Sequence, residues 1–158
     1  LSALCYLNLH RSPWMPLAAS MLLLLSGLMD ALDGVLARLR GAASPLGGLL
    51  DSIADRYSDA VVLASITVAG LCPPIHGLAA LAGSLLVSYS RARAEVEGVS
   101  MAGVGIAERG ERILLLSAST LLTYIKAEAL PLGILLLALL THITVLQRIL
   151  HAYRALKS

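Results

Sequence analysis

The chain has 158 residues, 58% of them hydrophobic and 14% charged, with a mean hydropathy of +0.82, against roughly 45–50% and 25% in an ordinary soluble domain. A water-soluble core of this length cannot hide so much Leu, Ala, Val and Ile, so the composition reads as an integral membrane protein and excludes disorder, a coiled coil and a secreted disulfide scaffold. Two cysteines, Cys5 and Cys72, supply neither a disulfide framework nor a thiolate metal site, and a net charge of +2 argues against a nucleic-acid partner.

A helix needs about 20 apolar residues to cross the hydrocarbon layer. Residues 1–9 are too few, and with no initiator Met they read as the end of a first helix whose beginning lies outside the sequence. The following crossings are expected over 13–40, 45–71, 74–95, 105–124 and 127–154. The expected fold is therefore an all-α integral membrane domain over residues 1–158, with six transmembrane helices of which the first is truncated. In that arrangement Arg38, Arg40, Arg56, Arg91, Arg93, Arg109, Arg112, Arg148, Arg154 and Lys157 fall on one side, and only Arg11 and Lys126 on the other. The positive-inside rule makes the crowded side cytoplasmic, with both termini inside a multi-pass cell-membrane protein. Tyr6, Trp14, Tyr89, Tyr124 and Tyr153 fall near the expected helix ends, at headgroup level.

Against this apolar background stand Asp30, Asp33, Asp51, Asp55 and Asp59. An unpaired carboxylate in a membrane helix costs at least about 2.5–3.5 kcal/mol, so something must offset it. Asp30 and Asp33 are spaced i,i+3 and Asp51 and Asp55 i,i+4, so each pair projects from one helix face. A short turn at 41–44 would bring the two pairs face to face. Carboxylates converging so closely need a counter-charge, which a hard divalent cation with oxygen ligands supplies. Packing salt bridges to Arg38, Arg56 and neighbours are the plainer reading, but a nonpolar replacement is usually at least as stable as a buried ion pair. The histidines, His10, His76, His142 and His151, have no ligand spacing.

Read in full, the stretch is Asp30-x2-Asp33-Gly34-x2-Ala37-Arg38-x8-Gly47-x3-Asp51-x3-Asp55. It resembles the motif of the CDP-alcohol phosphotransferase family of membrane enzymes at every fixed position. Independently of the name, Gly34, Ala37 and Gly47 lack bulk on the carboxylate face and would let a nucleotide approach the backbone, or simply let helices pack closely. Arg38 offers a planar fork to a phosphate or the cytosine edge, or anchors the helix on the cytoplasmic side. The resemblance implies transfer of a phosphoalcohol group from a CDP-alcohol to an acceptor hydroxyl with release of CMP. It further implies two Mg²⁺ or Mn²⁺ ions about 3.5–4 Å apart, and a homodimer. Asp30, Asp33 and Asp51 would be metal ligands, and Asp55 the general base that also touches a metal. Asp30, Asp33, Gly34, Ala37, Arg38 and Gly47 would hold the CDP group. Asp59 lies outside the motif and reads as a packing or cap residue.

A second polar concentration runs through Ser88-Tyr-Ser-Arg91-Ala-Arg93-Ala-Glu95 and Glu108-Arg109-Gly-Glu111-Arg112. Four arginines there flank one cytoplasmic loop, and arginine forks bind phosphate bidentately. A helix starting near Gly105 would add an N-terminal dipole. The alternative is a lipid-headgroup belt, which is the preferred reading for Arg112. The pattern resembles the branch of the family that uses inositol phosphate, which implies an acceptor phosphate held by Ser88, Arg91, Arg93 and Arg109, with Arg148 closing the pocket. The expected reaction joins a CDP-activated lipid to inositol 1-phosphate. Glycerol 3-phosphate as acceptor or CDP-inositol as donor fits the same first motif. Cation or proton transport also uses intramembrane carboxylates, but has no need of Gly34, Ala37, Arg38 and Gly47.

Overall fold

The computed structural model describes residues 1–39 and 44–157, with the side chains of Gly34, Val35, Ala37, Arg38 and Leu39 outside that description. Of the turn expected at 41–44, residues 41–43 lie outside the described residues, as does Arg40. Among the described residues the fold is all helical: α1 (Ser2–Leu7), α2 (Met15–Leu39), α3 (Pro45–Val68), α4 (Pro74–Val96), α5 (Arg109–Leu121) and α6 (Ala129–Lys157). Two of these, over Met15–Asp33 and Ala129–Lys157, are long and apolar enough to cross a membrane. Helix α3 carries Asp51, Asp55, Arg56 and Asp59, and α5 has 13 residues, so neither reads as a simple apolar span.

The helix ends follow from local chemistry. Ser44 caps α3 by accepting the Gly47 N–H at 3.0 Å, with Pro45 in the first turn, where a missing N–H costs nothing. At its other end Gly70 adopts φ +69°, its N–H reaches Thr67 O, and Leu71 N–H reaches Ile66 O. Helix α4 stops in the same way, with Gly98 at φ +78° and Val99 N–H bonded to Ala94 O. Both are Schellman stops, the second with its hydrophobic contact between Ala94 and Val99.

The fifth element corrects the sequence expectation. A helix from 105 was expected, but α5 begins at Arg109. Gly103 and Gly105 have φ of +70° and +119°, incompatible with a right-handed helix. The N–H groups of Ile106 and Ala107 are instead taken by Thr144 Oγ1 of α6, at 3.3 and 3.0 Å. Gly105 is required there twice over, since a Cβ would also collide with Thr144 Cγ2. The remaining ends fall within a few residues of expectation.

Helix α4 packs most extensively on α6, α2 on α5 and α3 on α4, while α1 sits against α2 and α3. Ile66, Ala80, Leu130 and Ile134 lie in the core, and the buried Tyr6 hydroxyl bonds Thr120 Oγ1 at 2.7 Å. Glycines set the close approaches: Gly77 faces Thr67, Gly83 faces Thr141, and Gly133 faces Ser119. Small and hydroxyl residues at helix contacts suit packing in lipid, where backbones must approach without help from the hydrophobic effect. The outside is correspondingly apolar, with Leu46, Leu50 and Ile53 of α3 and Leu132, Leu139 and Ile149 of α6 exposed.

Candidate active site

Helices α2 and α3 bring three of the expected carboxylates together. Asp51, Asp55 and Asp59 repeat at four-residue intervals along one face of α3. Asp30 of α2 meets the first two, and one oxygen from each of Asp30, Asp51 and Asp55 lies within 4.8 Å of the others. Oxygens bound to one hard cation at about 2.0–2.6 Å stand that close together, so the trio fits a divalent ion in both spacing and donor type. Asp33, a turn beyond Asp30, is exposed and not among the converging oxygens. Gly47 is fixed by the Ser44 cap, whose Oγ lies 3.0 Å from where its Cβ would be. The side chains of Gly34, Ala37 and Arg38 lie outside the described residues.

Arg109, expected on the acceptor side, reaches into this carboxylate group. Its Nη1 contacts Asp30 Oδ2 and lies 2.7 Å from Asp55 Oδ1, and its Nε is 3.5 Å from Asp59 Oδ1. Asp59 also accepts from Arg112 Nη2 at 2.9 Å. Asp59 is thus a partner to two arginines, and Arg112 is a buried residue with 6% exposure, not a headgroup contact. Sequence reasoning undervalued both. The signal for Asp59 was its continuation of the Asp51–Asp55 interval, and for Arg112 its i+3 spacing from Arg109.

Two cavities meet at these groups. One, of about 520 Å³ between α2, α3 and α5, joins Asp30, Asp51 and Asp55 to Leu24, Leu28 and Leu114. The other, of about 590 Å³, is lined by Ser88, Arg91, Arg109, Arg112 and Arg148 with acidic partners among them. Asp55, Arg109 and Gly110 line both. The structure therefore gathers four of the five expected acceptor residues in one cavity. Arg93 lies outside it, exposed and paired with Glu97 along α4.

The arginines differ in what they have left to offer. Arg91 pairs with Glu95 at 2.9 Å in the open. Arg148 is 2% exposed, and its Nε, Nη1 and Nη2 go to Val104 O (2.8 Å), Val87 O (2.5 Å) and Glu108 Oε1 (3.2 Å). It ties α4, the 97–108 segment and the start of α5 to α6, forming a wall of the cavity. No sequence interval announces the Glu108 partnership, since 40 residues separate the two. Arg112 Nε is buried without a hydrogen bond, and Arg109 Nε has only the long 3.5 Å approach to Asp59 Oδ1, so both could still donate to an anionic ligand.

The sequence pattern that defines the CDP-alcohol phosphatidyltransferases matches residues 1–154. Archaetidylinositol phosphate synthase of Pyrococcus horikoshii is 42% identical over 139 residues, covering 88% of this chain and 71% of the relative. The fold superposes on crystal structures of Mycobacterium tuberculosis phosphatidylinositol phosphate synthase. With CDP-DAG bound the TM-score is 0.80 at 30% identity, covering 96% of this chain and 80% of the other. In complex with manganese and citrate it is 0.79 at 30% identity, covering 96% and 77%.

Proposed function

Because the chain belongs to the CDP-alcohol phosphatidyltransferase family, and is therefore an enzyme, we propose that it transfers the phosphoalcohol group of a CDP-activated lipid to the hydroxyl of inositol 1-phosphate and releases CMP. One observation carries this reading: a single carboxylate, Asp55, borders both a cavity with leucine walls and a cavity lined by arginines. The first suits a donor with an apolar tail and a charged head. The second suits a small phosphorylated acceptor. Their junction is where an acceptor hydroxyl and a donor phosphorus would meet.

In this reading Asp30, Asp51 and Asp55 hold Mg²⁺ or Mn²⁺, with Asp33 retained in the ligand set by the motif. When bound there, the cations neutralise the diphosphate and polarise its oxygens. Asp55 accepts the proton of the acceptor hydroxyl, a step that needs a carboxylate facing the acceptor side. Gly34, Ala37, Arg38 and Gly47 receive the cytidine end of the donor. Ser88, Arg91, Arg109 and Arg112 face the acceptor phosphate, and Arg148 fixes the wall behind them. The exposed apolar side chains of α3 and α6 support a multi-pass position in the membrane. The basic residues gathered on one side support a site open to the cytoplasm.

The names of the relative and of the solved neighbour both end in an inositol phosphate product, which favours inositol 1-phosphate over glycerol 3-phosphate. Transport is not favoured, since the match to a transferase family spans the motif and the arginines together. The test is CMP release by the purified chain with Mg²⁺ or Mn²⁺. CDP-archaeol, CDP-diacylglycerol and CDP-inositol are compared as donors, against inositol 1-phosphate, free inositol and glycerol 3-phosphate. Inositol 1-phosphate with a CDP-lipid should give the highest kcat/KM. Equal or better use of glycerol 3-phosphate would overturn the acceptor and leave the family membership intact.

A further inference from the structure

We infer that Arg109 is a counter-charge shared between the two cavities, so that the arginine-lined cavity is completed for an anion only once a divalent cation holds the carboxylates. The inference deepens the transferase reading and rests on it.

Arg109 Nη1 contacts the carboxylates of Asp30 and Asp55, two of the three residues whose oxygens converge as cation ligands. A guanidinium and a divalent ion on the same two carboxylates repel each other and draw on the same negative charge, so loading the cation would loosen the hold of Asp30 and Asp55 on Arg109. A displaced Arg109 has somewhere to go, because it already lines the arginine cavity with Arg91 and Arg112. Gly110 beside it borders both cavities, and a Cβ there would meet nothing within 4 Å. Arg109 itself lines both cavities, so a change among its side-chain rotamers would shift the fork from one to the other. On the far side it meets Arg91, Arg112 and Arg148, each already paired with an acid, so its own fork would be the free charge that a phosphate meets through paired N–H donors. Arg109 Nε, which makes no hydrogen bond beyond its 3.5 Å ion-pair approach to Asp59 Oδ1, could donate there.

The consequence is linkage. If loading the carboxylates frees Arg109 for the phosphate, the cation must tighten the anion and the anion must tighten the cation by the same factor.

Calorimetric titration of the purified full chain with Mn²⁺ and inositol 1-phosphate tests this, with the protein-free association of the two subtracted. In the unaltered protein Mn²⁺ should tighten inositol 1-phosphate about fivefold or more, and the reverse by the same factor. Arg109→Gln should bind Mn²⁺ alone more tightly than the unaltered protein, and its weakened affinity for inositol 1-phosphate should be indifferent to Mn²⁺. Direct attraction between cation and phosphate would survive Arg109→Gln, so coupling that persists in the variant overturns the inference. Weaker Mn²⁺ binding by Arg109→Gln overturns it too, because Arg109 would then be organising the carboxylates. Absence of coupling in the unaltered protein does so without any variant. Failure of the transferase reading looks different: no CMP would be released from any CDP-alcohol, whatever coupling the titrations show.

Discussion

The carboxylate half and the arginine half of the site are assembled in opposite ways. Asp51, Asp55 and Asp59 follow one stripe of α3, and Asp30 comes from the helix just before it. The arginines come from α4, α5 and α6, and their relative placement depends on the irregular 97–108 segment, held by Thr144 and Arg148 of α6. A site half built from helical periodicity keeps its geometry as long as its helices pack. One built across a loop keeps it only while distant partners hold the loop. Damage to the first should therefore strike chemistry, and damage to the second should strike the acceptor.

The sharpest break comes from Asp51→Asn. Loss of even an outer-shell group around a metal costs about 10–100-fold, so loss of a ligand should lower CMP release by about a hundredfold or more. Asp51 is exposed and, unlike Asp30 and Asp55, has no ion pair with Arg109. Its replacement should leave the melting temperature unchanged in metal-free buffer. A large drop there would mean that the carboxylates are structural. Asp55→Asn comes next, with a loss of about a hundredfold in kcat, since a positioned base contributes about 10²–10⁴. Donor affinity, measured by CDP-lipid titration, should fall far less. A parallel fall would make Asp55 chiefly a ligand.

On the arginine side the loss should appear in KM. Arg109→Gln removes hydrogen bonds from a charged group worth about 1.5–3 kcal/mol, or about ten- to hundredfold in the acceptor KM, with donor affinity preserved. Arg91→Gln should cost less, because Arg91 is about half exposed and shared with Glu95. If both variants lost donor affinity instead, the two halves would not be separate functions.

The same contrast explains what the sequence could tell. Periodicity and the motif spacing foretold that the carboxylates of α2 and α3 would meet, and Asp30, Asp51 and Asp55 do, whereas Asp33, expected with them from its i,i+3 spacing, stays exposed and apart. The helix limits were legible for a similar reason: Ser44-Pro45, Gly70 and Gly98 are local stop and start signals. The start of α5 was not, since apolar content said helix from 105 while the outcome was fixed by Thr144, 37 residues from Ala107. The resemblance places Arg148 at the acceptor pocket, and it lines that cavity, but its bonds to Val87, Val104 and Glu108 have no signal in the sequence. Burial and pairing of arginines are tertiary properties, and the sequence interval that helps for Asp59 has no counterpart there.

A smaller effect should follow from loosening the loop itself. Thr144→Val keeps shape but removes the acceptor of the Ile106 and Ala107 N–H groups, and Ala107 is buried. Leaving a buried donor unpaired costs about 1–3 kcal/mol, to be read as a lower melting temperature. The acceptor KM should rise severalfold while CDP-lipid binding holds. Equal loss of donor binding would mean that the 97–108 segment supports both cavities.

The smallest effect is expected at Arg93, and it tests where the arginine half ends. The Ser88-to-Glu95 motif treats Arg91 and Arg93 as equals, but two positions along a helix point to different faces. Arg91 borders the cavity while Arg93 does not, and Arg93 spends its charge on Glu97 with both side chains about half exposed. Exposed pairs spaced i,i+4 contribute about 0.3–0.5 kcal/mol, so Arg93→Gln should leave the melting temperature nearly unchanged and the acceptor KM within about twofold. Steady-state kinetics beside Arg91→Gln make the comparison direct. Should Arg93→Gln match Arg109→Gln in KM, the acceptor cavity would have to extend around the end of α4, and the phosphate would be held by a broader basic surface than the cavity beside Asp55.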